Sequence, residues 1–574
     1  MGSRDQSEGQ YSAENAFEEG KRMFGAYTEI IVAFLGGIGF FLFGMNTMAH
    51  GLQKSAGAKM KKLLEILTKN KLMAVLVGTL VTGVIQSSTA TTVMVVGFVN
   101  AGIMNLTQSV GVIMGANIGT TVTSWLVSSI EWAGALNPIT LAPVFVFIGT
   151  FMVMFSGKDK IKNVGEILVG FGTLFIGMSL MTEAASPLKE SQMIMDSFVV
   201  LGHNPLLAIF AGAFVTAVVQ SSSASVSILQ TLALAGLIPW NAAIYIIMGQ
   251  NIGTCITAMI SSIGTSKNAK AAAYVHLLFN TIGSVIFSIV AIVYFTYFNP
   301  AMGISGISIT QIGIVHTSFN IACTIMLYPF SGVLVHLAQK ISGFSSKPEE
   351  SEDSLIHLDD RILDTPSFAI DSCLKEIDRL GQMSLENLKL SSEALIDGDI
   401  SKIERVYKRE ASINTLQEAI SGFMVKLCNK DITEKQNKMM TSLFHTVIDI
   451  ERIGDHSENI ADLAQYKIND DLKFSEKAMG ELTEIIGLTC QCVEESLNAL
   501  KDMDMNLVIK VIEKETTIDS METELRVAHI KRLTNGECHG ASGVVFLDTI
   551  SNLERVSDHA LNIAEVVMQS NLAE

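Results

Sequence analysis

The sequence predicts an all-α fold in two parts: a polytopic membrane domain made of two inverted-topology repeats, then a soluble helical-bundle domain. Three observations carry this. Apolar stretches of about 20 residues, the length a helix needs to cross a bilayer, recur through residues 28–340. The charge is unevenly placed: residues 1–345 hold 16 Lys+Arg and 13 Asp+Glu, whereas the remaining 229 hold 24 and 44. Each part also matches itself when displaced, by 134 residues in the first and by 103 in the second. The mean hydropathy of +0.39 is too apolar for an ordinary soluble chain, and a pI near 5.2 argues against nucleic acid as a partner.

Residues 1–27 form a polar N-terminal segment without a signal-peptide pattern. The transmembrane domain covers 28–340, with spans expected at 28–50, 106–128, 139–157, 163–185, 238–262, 271–297 and 311–339. The apolar stretches 72–101 and 205–236 differ, because QSSTATT (86–92) and QSSSAS (220–225) break each at its middle. Each half is too short to cross, so both predict re-entrant helical hairpins whose tips meet inside the bilayer. Unwound backbone is tolerated at that depth only where protein or a cavity surrounds it. Lys54, Lys59, Lys61, Lys62, Lys69, Lys71, Lys158, Lys160, Lys162, Lys267, Lys270 and Lys340 all fall on one side if every span crosses once. The positive-inside rule makes that side the cytosol, with the tail inside and residues 1–27 outside.

The displacement by 134 brings Gln86-Ser87-Ser88 onto Gln220-Ser221-Ser222 and GANIGTTVT (115–123) onto GQNIGTCIT (249–257). Repeat 1 (about 28–157) and repeat 2 (about 163–297) each contain one span, one hairpin and two more spans. Three crossings per unit is odd, so the copies insert upside down relative to each other. Inverted repeats with helix breaks at matching places mark a secondary transporter with its site at the repeat interface. A starting half-helix offers free N–H groups and a partial positive charge, which suits an oxyanion. Hydroxyl, amide and freed carbonyl oxygens are also hard ligands for a small cation such as sodium. The candidate binding residues are Gln86, Ser87, Ser88, Thr89, Asn117, Thr120, Gln220, Ser221, Ser222, Ser223, Asn251 and Thr254. Gly119 and Gly253 are expected to interrupt a second helix in each repeat at NIGT. No Asp, Glu, Lys or Arg lies in 72–130 or 197–266. A bare anion or cation would be costly to bury there, and the two together neutralise each other.

His276/Asn280 and His316/Asn320 lie one helical turn apart, which suits interhelical hydrogen bonds, with lining of the translocation path or proton carriage as the alternative. Glu131 and Trp132 read as interface anchors. Seven scattered cysteines suit a reducing compartment rather than a disulfide framework. No P-loop, nucleophile elbow or zinc-helix motif points to an enzyme.

Residues 341–365 read as a linker and 366–574 as two three-helix bundles, about 366–470 and 474–574. IERIGDHSENIADL (450–463) matches LERVSDHALNIAEV (553–566). Glu451/Asp455 and Glu554/Asp558 thus put carboxylates one turn apart, where they repel unless a cation sits between them. These four are candidate metal ligands for iron, zinc or magnesium, with His456 and His559 as further donors. A solvated charged face is the alternative.

With QSSTATT, QSSSAS, GANIGTT and GQNIGT, residues 28–340 resemble the type II sodium–phosphate cotransporter family. Through ERIGDHSENIA and ERVSDHALNIA, the tail resembles the PhoU phosphate-regulatory family. The resemblance implies a bacterial inner-membrane symporter that imports inorganic phosphate with sodium ions, both held at the hairpin tips. It also implies a cytosolic regulatory PhoU-like domain and a homodimer. Thr89 stands where the family commonly has serine. The alternatives are transport of sulfate or a carboxylate, and a membrane-tethered sensor of phosphate or metal.

Overall fold

The computed structural model describes residues 28–55, 71–343, 355–363, 365–430 and 432–572. The expected outer N-terminal segment, Lys59, Lys61, Lys62, Lys69 and linker residues 344–354 and 364 lie outside these residues. The chain divides into two units, close to residue 345.

Among the described residues of the membrane unit, seven helices are long and apolar enough to span: α1 (Thr28–Ser55), α4 (Leu106–Trp132), α5 (Pro138–Phe155), α6 with its 3-10 extension (Asp159–Glu190), α10 (Trp240–Ser261), α11 with its π turn (Lys267–Phe298) and α13 (Ile309–Leu327). The hairpins are α2 (Lys71–Ile85) with α3 (Ser88–Asn100), and α8 (Pro205–Val219) with α9 (Ser222–Leu234). Three elements differ from expectation. A 12-residue helix, α7 (Gln192–His203), precedes α8 at a 109° bend; it is too short to span, and Pro205 with the Asn204 cap starts α8 afresh. The short α12 (Pro300–Ile304) precedes α13. The stretch 311–339 is not one span: it stops at Leu327 beside Pro329, and α14 (Ser331–Ile341) follows.

Fold symmetry is visible in reciprocal contacts. A Cβ at Gly37 would strike Met181 and Gly177, and one at Gly44 would strike Leu174 and Gly170. Residue numbers rise along α1 as they fall along α6, so the two pack antiparallel. Each is the other's counterpart, since FGMNTM (43–48) echoes IGMSLM (176–181). A spanning helix antiparallel to its own repeat mate requires a pseudo-twofold axis across the helices, which is the inversion. The pair α2/α4 recurs as α8/α10 in the same detail: a Cβ on Gly115 would meet the Val75 carbonyl, and one on Gly249 the Ile209 carbonyl.

NIGT does not interrupt a helix. The helices α4 and α10 run unbroken through it. A Cβ on Gly119 would lie 2.6 Å from the Thr79 oxygen, and one on Gly253 would meet Ala213. These glycines serve close backbone approach rather than a turn. Glu131, expected as an interface anchor, holds the start of a neighbouring helix. Its carboxylate accepts from the Ser308 hydroxyl and from the Ile309 and Thr310 N–H groups, each at 3.1 Å, capping α13.

The tail unit has helices α15 (Pro366–Asp397), α16 (Ile400–Cys428), α17 (Glu434–Asn469), α18 (Glu476–Asp502), α19 (Met505–Thr534) and α20 (Gly540–Leu572). Gly398 and Met503 end α15 and α18 in left-handed conformation, and Asp399 and Asp504 then cap α16 and α19. His456 Nδ1 pairs with Asn552 Oδ1 at 2.8 Å and His559 Nδ1 with Asp449 Oδ1 at 2.9 Å. The two imidazoles lie 5.7 Å apart. Since 449 corresponds to 552 and 456 to 559, α17 and α20 are again reciprocal mates. Part of the expected linker is ordered: the Ile356 and His357 N–H groups donate to Glu376 on α15.

Candidate functional site

The hairpin tips are built the same way twice. Gln86 (φ 58°) and Gln220 (φ 55°) are left-handed, a conformation unfavourable for a residue with a side chain and held where surroundings demand it. Their N–H groups close the preceding half-helices on Thr82 and Thr216, both at 2.8 Å. The Ser87 and Ser221 hydroxyls then cap the next half-helices by accepting from the Ala90 and Ala224 N–H groups at 3.1 and 3.2 Å. The Thr82 hydroxyl bonds Thr91 at 3.1 Å, as Thr216 bonds Ser225 at 2.8 Å. Each tip is thereby fixed by its own polar groups. The first N–H groups of α3 and α9 have no intrahelical acceptor.

The two tips touch. Ser88 Oγ and Ser222 Oγ are 3.1 Å apart and buried. They are equivalent residues of the two repeats, and equivalent residues meet only on the symmetry axis. Thr123, on α4, ties the tips further: its hydroxyl lies 2.8 Å from Gln86 Oε1 and 3.3 Å from Ser223 Oγ. Three side-chain oxygens from three elements thus converge. A cavity of about 490 Å³ opens over the tips, lined by Gln86 through Ala90 and by Val219 through Ser223. On its other side stand Asn46, His50 and Gln53 of α1. Gln53 Nε2 reaches the Ile85 carbonyl at 3.4 Å, joining α1 to the first tip.

The structure therefore brings eight of the predicted residues to one cavity: Gln86, Ser87, Ser88, Thr89, Gln220, Ser221, Ser222 and Ser223. The other four stand off it, their groups spent on their own helices. Asn117 donates to Ile113 and Asn251 to Ile247, both at 2.8 Å, while Thr120 donates to Ala116 and Thr254 to Gln250, both at 2.9 Å. Asn117 Oδ1 also accepts from Asn280 at 3.2 Å, and His316 meets Ser124 at 3.3 Å. One member of each His-x-x-x-Asn pair, Asn280 and His316, thus makes an interhelical bond, while both ring nitrogens of His276 are buried without a hydrogen-bond partner among the described residues. Sequence reasoning missed Thr123, although the repeat match ends on it. It also missed Asn46, His50 and Gln53, polar residues at helical spacing within an apolar span.

In the tail the four carboxylates singled out do not form one group. Glu451 and Asp455 face Glu410 of α16, whereas Glu554 and Asp558 face α19. Arg452, next to Glu451 in sequence, pairs with one of these carboxylates: its Nη1 reaches Asp455 Oδ2 at 2.9 Å. His456 and His559 spend Nδ1 on Asn552 and Asp449. Burial pushes the Glu410 carboxyl up to about 8, helped by Asp455, Glu458 and Glu451. Oε1 of Glu410 is buried and has no hydrogen-bond partner among the described residues. In the second cluster, Glu515, Asp519 and Asp558 oxygens lie within 4.8 Å of one another. Burial, then Asp519, raises the Glu515 and Asp558 carboxyls from their ordinary values. Crowded carboxylates raised in this way are suited to a cation.

Comparison with known proteins agrees with both halves. The chain matches the family described as Na+/Pi-cotransporter over residues 40–183 and 191–340, and the PhoU domain over 377–464 and 482–567. It is 21% identical over 543 residues to the "Putative inorganic phosphate export protein YjbB" of Salmonella typhimurium, covering 93% of this chain and 97% of that protein. It is 32% identical over 254 residues to the uncharacterized protein YqeW of Bacillus subtilis, covering 44% of this chain and 80% of that one. The tail is 27% identical over 198 residues to a phosphate-specific transport system accessory protein, PhoU homolog 1, of Thermotoga maritima, covering 30% of this chain and 84% of that one. Matched over both repeats of its membrane half and both bundles of its tail, the chain belongs to the Na+/Pi-cotransporter family, as a membrane-embedded phosphate transporter rather than an enzyme, with a C-terminal PhoU domain.

Proposed function

We propose that the protein is a sodium–phosphate symporter of the bacterial inner membrane, with both ions held at the paired hairpin tips. The observation that carries this is the Ser88–Ser222 contact on the pseudo-twofold axis, at the floor of a polar cavity. There, half-helix N-termini and serine hydroxyls offer donors to phosphate. Gln86 Oε1, Thr123 and Ser223 offer converging oxygens to sodium. Neither tip carries a charged side chain, so each ion supplies the charge the other lacks. Driven by an inward sodium gradient, such coupling imports phosphate. The YjbB relatives are named for export, and a coupled carrier runs either way with its gradients. The lysine distribution supports a cytosolic PhoU domain. Proteoliposomes loaded with the purified protein should take up labelled phosphate when sodium is high outside, and lose that uptake when potassium replaces it. Uptake indifferent to sodium would end the coupling scheme, and competition by sulfate would reassign the anion.

The tail has a second role in this reading, since Glu410 is a buried carboxylate facing three others. A divalent or iron cation bound there and at Glu515, Asp519 and Asp558 would relieve the repulsion. In metal-free protein, Glu410 holds a proton that the unfolded chain gives up between about pH 4.5 and 8. That stability is full below the window and is lost as pH rises through it, at up to about 1.4 kcal/mol per pH unit. Thermal unfolding after chelation should show this slope, and Glu410→Gln should flatten it. Stability that rises with pH across the window, with the Gln variant behaving alike, would contradict the assignment.

A further inference from the structure

The cavity over the hairpin tips is lined by residues that cannot ionise, with one exception among the described residues, His50. Its Nδ1 lies 3.2 Å from Glu166 Oε2 of α6, and the side chain remains 55% exposed. That bond fixes the ring by one edge and leaves Nε2, on the opposite edge, with no hydrogen-bond partner among the described residues. Lys54, one turn further along α1, sits 3.5 Å from the other oxygen of the same carboxylate. Glu166 is thus the carboxylate facing His50 from α6, Lys54 is the charge beside it on its own helix, and neither hairpin contributes a charge beyond Lys71 at the start of α2. With His50 neutral, Lys54 and Glu166 cancel. With His50 protonated, this side of the cavity carries a net positive charge opposite the serine tips.

Resting on the phosphate-transport reading above, we propose that His50 is an anion-contacting residue that sets how tightly the cavity holds phosphate at a given pH. Histidine is the side chain whose charge ordinarily changes between pH 5 and 8. Held by Glu166 through Nδ1, the charged ring donates Nε2–H to a phosphate oxygen. A charge-assisted bond of this kind is about twice as strong as a neutral one. The neutral ring adds no charge to the site. Phosphate binding is thus strengthened on the acid side by a group that the two symmetric tips do not provide. The second repeat has no counterpart: in the register that lays FGMNTM (43–48) on IGMSLM (176–181), an offset of 133, Glu183 stands at the place of His50, bonded to Ser179.

The test is the Michaelis constant for phosphate in proteoliposomes at one sodium gradient, with equal pH on both sides from 5.5 to 8.5. Wild type, His50→Gln and His50→Lys are compared. Phosphate's own titration cancels in the ratio of variant to wild type. For His50→Gln the ratio is expected to be about tenfold at pH 5.5 and to fall to about one at pH 8.5. For His50→Lys, whose charge persists, it should be near one at pH 5.5 and well below one at pH 8.5. A residue that only packs α1 against α6 would raise the constant equally at every pH. Ratios that stay flat while wild type transports phosphate overturn this inference alone. If His50→Gln does not fold, the pH dependence of the Lys ratio decides by the same criterion. Failure of wild type to transport phosphate at any pH removes the transport reading, and this inference with it.

Discussion

Phosphate transport by a Ser88→Ala/Ser222→Ala double variant is expected to fall by about a hundredfold or more, with the protein still folded. Serine to alanine removes only the two oxygens that meet on the axis at 3.1 Å. Both positions begin a half-helix, where alanine is an acceptable residue, and the caps on Ser87 and Ser221 remain. A hydrogen bond to a charged partner contributes about 1.5–3 kcal/mol, so two lost donors give the stated range. The singles should not multiply to the double, because each hydroxyl is the other's neighbour and their effects are coupled. Uptake assays on protein of normal yield and monodispersity check this. A double variant within a few-fold of wild type would show that the axis hydroxyls pack the tips without touching the ion.

The second large effect concerns folding. Gly115→Leu and Gly249→Leu should each abolish the yield of monodisperse protein, while Gly36→Leu is tolerated. Intrinsic propensity argues the opposite, since replacing glycine in a helix gains up to about 1 kcal/mol. Packing decides the sign. At Gly115 and Gly249 a Cβ would collide with a backbone carbonyl of the partner helix, which cannot rotate aside. At Gly36 nothing lies within 4 Å. Both collisions sit at the same place in the two repeats, between a hairpin's first half and the following span. Each would push a tip off the axis. Size-exclusion profiles of the three variants separate these outcomes, and normal behaviour of the Gly249 variant would contradict the close packing.

The contrast between these glycines and the NIGT glycines shows what a sequence conveys here. The hairpins were legible because a QSS cluster centred in an apolar stretch has few solutions in lipid, and doubling it at a fixed displacement leaves fewer. Gly119 and Gly253 were misread as helix breaks because a glycine needed for backbone freedom and one needed for close approach look alike until the partner helix is in place. Asn117 and Thr120 followed that error: in an unbroken helix their side chains return to the preceding turn. Thr123 and the α1 residues Asn46, His50 and Gln53 reach the site only through tertiary packing, which periodicity does not encode. The Arg452–Asp455 pair is legible in the sequence, because residues i and i+3 are neighbours on a helix. In the tail, the repeated Glu-x-x-x-Asp was visible. Glu410 was not, because nothing local distinguishes it from the solvated glutamates around it.

In the proposed coupling two opposite charges arrive together at hairpin tips that carry no charged side chain, and reciprocal binding to the purified protein measures that most directly. Phosphate affinity, titrated by calorimetry in sodium and again in choline, should be at least about tenfold tighter in sodium. Sodium affinity should then tighten by the same factor when phosphate is present, as linkage requires. Equal phosphate affinity in the two salts would contradict a shared site at the hairpin tips.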